Sequence, residues 1–181
     1  MSSGLDIESL YIEFHLDIYH FSLYFSSNKQ DAEDITQETF IKAIRNSHML
    51  KDHTRAKYWL LSIARHTAID HLRKKKFKST LPELLDKMTK IERRDSLDEH
   101  LLVKEQWEEI QTALFRIKPH YRSLLILRGI QEMTIRETAE ILECSELKVR
   151  VDFYRAVKVL KKELQVVEGV NIDEKGRKLN S

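Results

Sequence analysis

The residues after Ser145 build a helical face suited to a polyanion. At about 100° per residue, Leu147, Lys148, Val151, Tyr154, Arg155, Lys158 and Lys162 fall on one side. Val149, Phe153, Ala156, Leu160 and Leu164 form an apolar stripe on the other. Four of the seven front residues are cations, matched to phosphate oxygens and guanine edges. Leu147 and Val151 gain nothing from water, but can meet a thymine methyl in the major groove. A basic solvated face with two stray aliphatics would account for the same residues. The preceding segment favours DNA. Thr134 can cap a helix, and Glu137, three residues on, can return a bond to the Thr134 N–H, a capping box. That helix runs to about Leu142, with Ile135, Ala139 and Leu142 on one side and the small Ala139 allowing a close crossing. A short turn at Glu143–Cys144 leads to Ser145, a good N-cap. The pattern is that of a helix-turn-helix.

The elements that carry this motif are helical throughout. The 181 residues include only 4 Gly and 2 Pro, with 33% charged, and apolar residues recur at helical period along most of the chain. This predicts an all-α protein with short loops. The net charge of +2 is too small to signal nucleic-acid binding by itself, but its distribution does. Arg65–Lys78 holds six Lys/Arg against one Asp, and Lys148–Lys162 also holds six against one. Between them, Glu83–Glu109 holds nine acids against five bases. Two basic patches around an acidic connector suggest two contacts on one polyanion. The single cysteine, Cys144, excludes an intramolecular disulfide and a multi-Cys zinc site, and reads as a structural thiol in the turn. The N-terminus lacks a basic n-region, and Leu10–Phe25 is broken by Glu13, His15, Asp17 and His20. No apolar run is long enough to span a bilayer, so the chain reads as cytoplasmic.

Along the chain, Ser9–Ser26 is expected as a helix, with Leu10, Phe14, Ile18, Phe21 and Phe25 on one stripe. Asn28 or Asp31 caps a second, from about Ala32 to Arg45, and His48–His53 is a loop. A long helix from about Thr54 to Lys76 is apolar over a wide arc in its first half and should lie centrally in a bundle. Its end, Arg73–Lys76, is basic, as suits either a backbone contact or the helix dipole. Pro82 interrupts a charged connector, Lys78–Asp98. A helix from about Leu101 follows, and Pro119 opens the next, with Leu124–Ile130 as its buried part. Glu168–Ser181 is expected as a disordered tail.

Two blocks then carry a resemblance. Within Asp31–Lys76, DAEDITQETFIKAI followed by YWLLSIARHTAIDHLRKKK is similar to domain two of the extracytoplasmic-function (ECF) sigma factors of bacterial RNA polymerase. The distance from Phe40 to Trp59 matches that family's usual spacing. Ile117–Leu160 resembles its domain four without a gap. Both blocks in this order, with a linker between, make the resemblance specific. It implies a fold of two small helical domains: 1–77 for polymerase docking and the −10 element, 78–98 as linker, 99–167 for the −35 element, and 168–181 as tail.

Carried over by position, the resemblance assigns Asp34, Gln37 and Glu38 to the polymerase, with Phe40 mostly packing. Read alone, Asp31, Glu33 and Asp34 are acids favourable near a helix start. The loop His48–His53 falls where the family captures a flipped −10 base, an extrusion that needs a pocket. Met49 and Leu50 offer apolar walls; His48, Lys51 and His53 offer polar edges; Arg73 and Lys74 hold the backbone nearby. Lys148, Val151, Arg155, Lys158 and Lys162 would contact the −35 element. The implied partners are core RNA polymerase, promoter DNA and an anti-sigma factor, with no catalytic residue, metal, cofactor or small-molecule substrate. The chain departs from the family pattern in several places. His66 replaces an Asn, Ile44 a frequent Trp, Lys118 a Pro, Glu143 and Leu147 glycines, and Asp152 an Arg. Leu147 and Asp152 alter the expected DNA-facing neighbourhood, which bears on the −35 sequence rather than the fold.

Two other functions compete. A stand-alone helix-turn-helix regulator with a sensing or dimerising N-terminal bundle would need a dimer interface and a two-fold operator. It leaves the DAEDITQE block unexplained. An enzyme would need a site, and none is legible. The pairs His15/His20, His48/His53 and His66/His71 are five apart, which on a helix spreads each pair about 140° and off any shared metal-binding face. HExxH, a nucleophile elbow and a glycine-rich phosphate loop are all missing.

Overall fold

The computed structural model describes residues 7–79 and 101–167. They form seven α-helices, with no strand among the described residues. The expected linker and tail lie outside them, except that the backbone of 78 and 79 continues the third helix.

Helix α1 (Ile7–Ser26) buries Leu10, Ile18, Phe21 and Phe25, and the last two rings stack with centroids 5.8 Å apart. Its serines keep their hydroxyls satisfied by folding back: Ser22 donates to the Ile18 carbonyl at 2.7 Å and Ser26 to that of Ser22 at 2.8 Å. Of the two candidate caps for α2 (Lys29–Arg45), the structure uses Asn28, whose side chain accepts the Asp31 N–H at 2.9 Å. The helix therefore starts earlier than Ala32. The expected loop is partly ordered, with 3₁₀ turns at Ser47–Met49 and His53–Arg55. Asp52 pins the second turn by accepting the Thr54 N–H at 2.9 Å and the Thr54 hydroxyl at 2.7 Å. Helix α3 (Ala56–Ser79) is central as expected, with Leu60, Leu61, Ala64, Ala68 and Leu72 buried. Ala64 and Ala68 let α1 and α2 approach closely.

Helix α4 (Leu101–Arg116) leads to α5 (Pro119–Leu125), whose proline occupies the first turn, where a missing N–H costs nothing. The continuation is not regular. Ile126–Ile130 widens into a π-turn in which the Gln131 N–H reaches back five residues to the Ile126 carbonyl at 2.9 Å. Glu132, at φ 53°, then redirects the chain. Helix α6 (Ile135–Ile141) opens on the expected capping box. Glu143 closes the turn at φ 53°, a left-handed position where glycine would be unstrained. Helix α7 (Glu146–Val167) starts after Ser145, whose Oγ accepts the Lys148 N–H at 3.2 Å.

One apolar cluster joins the two halves of the chain. It runs from Leu10, Phe21 and Phe25 through Leu60 and Leu61 to Leu124, Leu127, Ile141 and Val149. Each such side chain, fully buried, contributes about 1.5–3 kcal/mol. A smaller cluster of Leu114, Ile117, Leu125 and Ala156 closes α4, α5 and α7 together.

At the seam lies Arg122, 3% exposed. No carboxylate pairs with it among the described residues. Its Nε donates to the Leu114 carbonyl at 2.8 Å, and its two terminal nitrogens donate to the Phe25 carbonyl at 2.8 Å and to those of Phe115 and Ile117. One guanidinium thus caps the carboxyl ends of α1 and α4 together, where orphan carbonyls and the negative dipole end favour a cation. The Phe25 and Phe115 rings each lie 5.0 Å from its carbon. Burial pushes this guanidinium down to about 10, and it remains charged at neutral pH.

Candidate polymerase and nucleic-acid interfaces

Helix α7 presents the expected front. Leu147, Lys148, Val151, Tyr154, Arg155, Lys158 and Lys162 are all exposed, while Val149 and Ala156 are buried behind them. The cations are not equivalent. Lys158 lies over the Tyr154 ring, Nζ 4.7 Å from its centroid. Lys148 and Arg155 flank Asp152, with Nζ 2.8 Å from Oδ2 and a guanidinium nitrogen 3.7 Å from Oδ1. His120 of α5 completes the group, its Nε2 2.9 Å from Oδ2. The Lys148 ammonium and the His120 ring hold the Asp152 carboxyl below the usual carboxylate range, and Asp152 in turn raises Lys148.

Asp152, a departure that bears on the DNA-facing neighbourhood, is not itself one of the DNA-facing residues. It is 5% exposed and sits beneath them. The signal was available: position 152 is three residues from Val149 and four from Ala156, the buried side of the helix.

On α2, Asp34 and Gln37 are exposed and Glu38 is half-buried, one turn from the Lys42 ammonium at 3.9 Å. Asp34 accepts only from its helical neighbour Gln30, at 3.2 Å, among its hydrogen bonds within the described residues. Ile41 and Ile44, 41% and 56% exposed, prolong this row. Asp31 behaves differently. It turns inward to the end of α3, where the Lys75 ammonium lies at 2.6 Å and the His71 ring at 3.0 Å. Lys75 is thereby committed to the fold, whereas Lys74 is exposed and Arg73 has only a loose 3.8 Å pairing with Asp70.

In the intervening loop His48, Met49 and Lys51 are exposed. Leu50 is half-buried and packs against the main core, so Met49, 62% exposed, is the freer of the two apolar residues.

A further set of side chains, not legible from the sequence, ties the two halves together. Glu137, Glu140 and Glu143, three apart at α6 and its end, face the start of α3. The Tyr58 hydroxyl donates to Glu137 at 2.6 Å, Arg55 pairs with Glu140, and the Ser62 hydroxyl donates to Glu143 at 3.1 Å. Tyr58, and then the Thr134 backbone, lower the Glu137 carboxyl, while the bond to Glu137 raises Tyr58. Gln131 adds a bond to the Asp17 carbonyl at 3.0 Å. Cys144, expected as a buried structural thiol, is only half-buried beside this seam, and that burial pushes its thiol up.

Comparison with known proteins decides the family. Residues 10–78 match the Sigma-70 region 2 family, and residues 107–160 match Sigma-70, region 4. The ECF RNA polymerase sigma factor SigX of Bacillus subtilis is 36% identical over 171 residues, covering 93% of this chain and 88% of that protein. The chain belongs to the ECF RNA polymerase sigma factors. The RNA polymerase sigma factor YlaC of the same organism is 31% identical over 159 residues, covering 87% of this sigma factor and 91% of the relative. The fold agrees with a solved sigma factor, RpoE of Bartonella quintana in complex with the anti-sigma factor NepR, at a TM-score of 0.68 and 20% identity over 89% of this chain and 98% of that one. As an alternative sigma factor, the chain directs promoter-specific initiation of transcription. No helix among the described residues is long and apolar enough to cross a membrane.

Proposed function

We infer that this sigma factor divides its work between two surfaces on a core polymerase that performs the chemistry. Residues 1–77 dock through Asp34, Gln37 and Glu38 and read the −10 element with His48, Met49, Leu50 and Lys51, while Arg73 and Lys74 hold the backbone. Ile41 and Ile44 extend the dock with the apolar contact that interface cores use. Residues 99–167 read the −35 element as duplex through Lys148, Val151 and Arg155, with Lys158 and Lys162 on phosphates. RpoE was crystallised with an anti-sigma factor, and the same kind of protein partner is proposed to restrain this chain in the cytoplasm.

The observation that carries this reading is the front of α7. Lys148, Val151 and Arg155 stand exposed at spacings of three and four on a helix that starts from a capped, tight turn. Removing a base-edge contact from such a face costs about 1–3 kcal/mol at one position of the site, whereas removing a phosphate contact weakens all sequences alike. Lys148→Ala and Arg155→Ala are therefore expected to flatten the preference at individual −35 positions. Val151→Ala should change specificity more than affinity. Lys158→Ala and Lys162→Ala should weaken every promoter equally. Promoter selection by holoenzyme over a randomised −35 element at fixed salt measures this. Unchanged preferences in all three front-face variants would assign DNA reading to another surface.

A further inference from the structure

Asp152 occupies a position that direct DNA contact cannot explain. At 5% exposure it cannot reach a base edge, and its negative charge would repel the phosphates that the surrounding cations attract. Yet it is the common partner of three cationic or hydrogen-bonding side chains from two helices. Its Oδ2 meets Lys148 Nζ at 2.8 Å and His120 Nε2 at 2.9 Å, and its Oδ1 faces Arg155 at 3.7 Å. These residues, with Lys118 and Tyr121, line an open cleft of about 300 Å³ between α5 and α7. Three basic side chains thus surround a buried carboxylate at the recognition face.

The chemistry of such an arrangement is particular. A lysine ammonium has three donors, and one spent on Asp152 leaves two to project outward. The Arg155 guanidinium lies at ion-pair rather than close hydrogen-bond distance, so most of its fork stays available. Long, rotamer-rich side chains lose entropy when they are fixed on binding. Holding Lys148 beforehand, and drawing Arg155 loosely toward the same carboxylate, removes part of that cost and biases the direction in which both project. The carboxylate also cancels one of the two positive charges, which weakens attraction to any phosphate without removing the directed donors.

We propose that Asp152 is a specificity-determining positioning residue: it aims Lys148 and Arg155 at base edges and suppresses their sequence-independent attraction to DNA. The proposal rests on α7 as the −35 reader, and its test separates the two readings. Holoenzymes carrying Asp152→Asn, Asp152→Glu, Lys148→Ala or Arg155→Ala select from a promoter pool randomised at −35 with a constant −10. Each is also titrated with non-cognate duplex over a series of salt concentrations, and helicity and melting are followed by circular dichroism.

Asp152→Asn should lower discrimination about tenfold at the same base pairs that Lys148→Ala and Arg155→Ala affect. It should also bind non-cognate duplex more tightly, with a salt dependence steeper by about one. Asp152→Glu keeps the charge but not the geometry, so its salt dependence should stay at the parent value while its base preference shifts. If Asp152→Asn fails to fold, Asp152→Glu decides alone. A variant that folds and weakens all −35 sequences by one factor, with parental preferences, overturns the proposal and leaves the carboxylate a packing role. Unchanged preferences in Lys148→Ala and Arg155→Ala overturn both readings together.

Discussion

Reversing Asp34 and Glu38 together to arginine is expected to weaken holoenzyme formation by about a hundredfold or more, with helicity unchanged. On the proposed dock these acids face complementary positive charge, and reversing them would set like charges across it, which costs several kcal/mol. The specificity of the effect follows from what these residues do in the free chain. Asp34 reaches only Gln30 by a hydrogen bond within its own helix, and Glu38 is loosely paired with Lys42. The fold of α2 rests instead on the Asn28 cap and on buried Ala32, Ile35, Phe40 and Ala43. Asp34 and Glu38 lie beyond the first turn of α2, which holds Asp31 alone among the acids, so their reversal leaves the dipole contribution at the helix start in place. Titration of labelled core polymerase with parent and variant, alongside far-ultraviolet circular dichroism, measures both. A double variant that binds core as tightly as the parent would remove the dock from α2.

Arg122→Leu is expected to cost about 3–5 kcal/mol of stability, because the Phe25, Phe115 and Ile117 carbonyls lose this donor in a dry site, while that of Leu114 keeps the Ile117 N–H. For a chain of this size that corresponds to a fall in Tm on the order of 10 °C. Leucine fills much of the space and retains apolar contact with Phe25 and Phe115, so the loss reports the hydrogen bonds rather than a cavity. Arg122→Lys should recover only part of it, since one ammonium cannot reproduce a planar fork that reaches two helix ends. Thermal unfolding by circular dichroism reads both variants. A change under about 1 kcal/mol in Arg122→Leu would mean that water satisfies these carbonyls and that the seam rests on apolar packing alone.

Much of this architecture was legible in the residues because its devices are local. Thr134 and Glu137 close their box within one turn, Pro119 sits where a helix tolerates it, and the Val149–Ala156 stripe repeats at the helical period. The features that were not legible depend on partners far away in sequence. Arg122 looks like one more surface cation until α1 brings the Phe25 carbonyl to it across 97 residues. Glu137, Glu140 and Glu143 read as an ordinary charged helix face, and only the fold sets them against Tyr58, Arg55 and Ser62. Asp152 is a different case. Its position, three residues from Val149 and four from Ala156, puts it at the edge of the buried side, but its pairing with His120 of α5 depends on the fold. The π-turn after α5 has no marker beyond Gly129 and the need to redirect the chain toward Thr134.

That this chain selects promoters through two surfaces is tested most directly by single-round transcription. Core polymerase is given promoter templates randomised at both elements, with and without the protein. Transcripts are expected to depend on the protein and to share two sequence elements at a fixed separation. Substitutions in α7 should change the upstream element, and substitutions at Met49–Lys51 the downstream one. The contradicting result is a protein that binds a two-fold symmetric duplex as a dimer without polymerase and leaves the transcripts made by core polymerase unchanged.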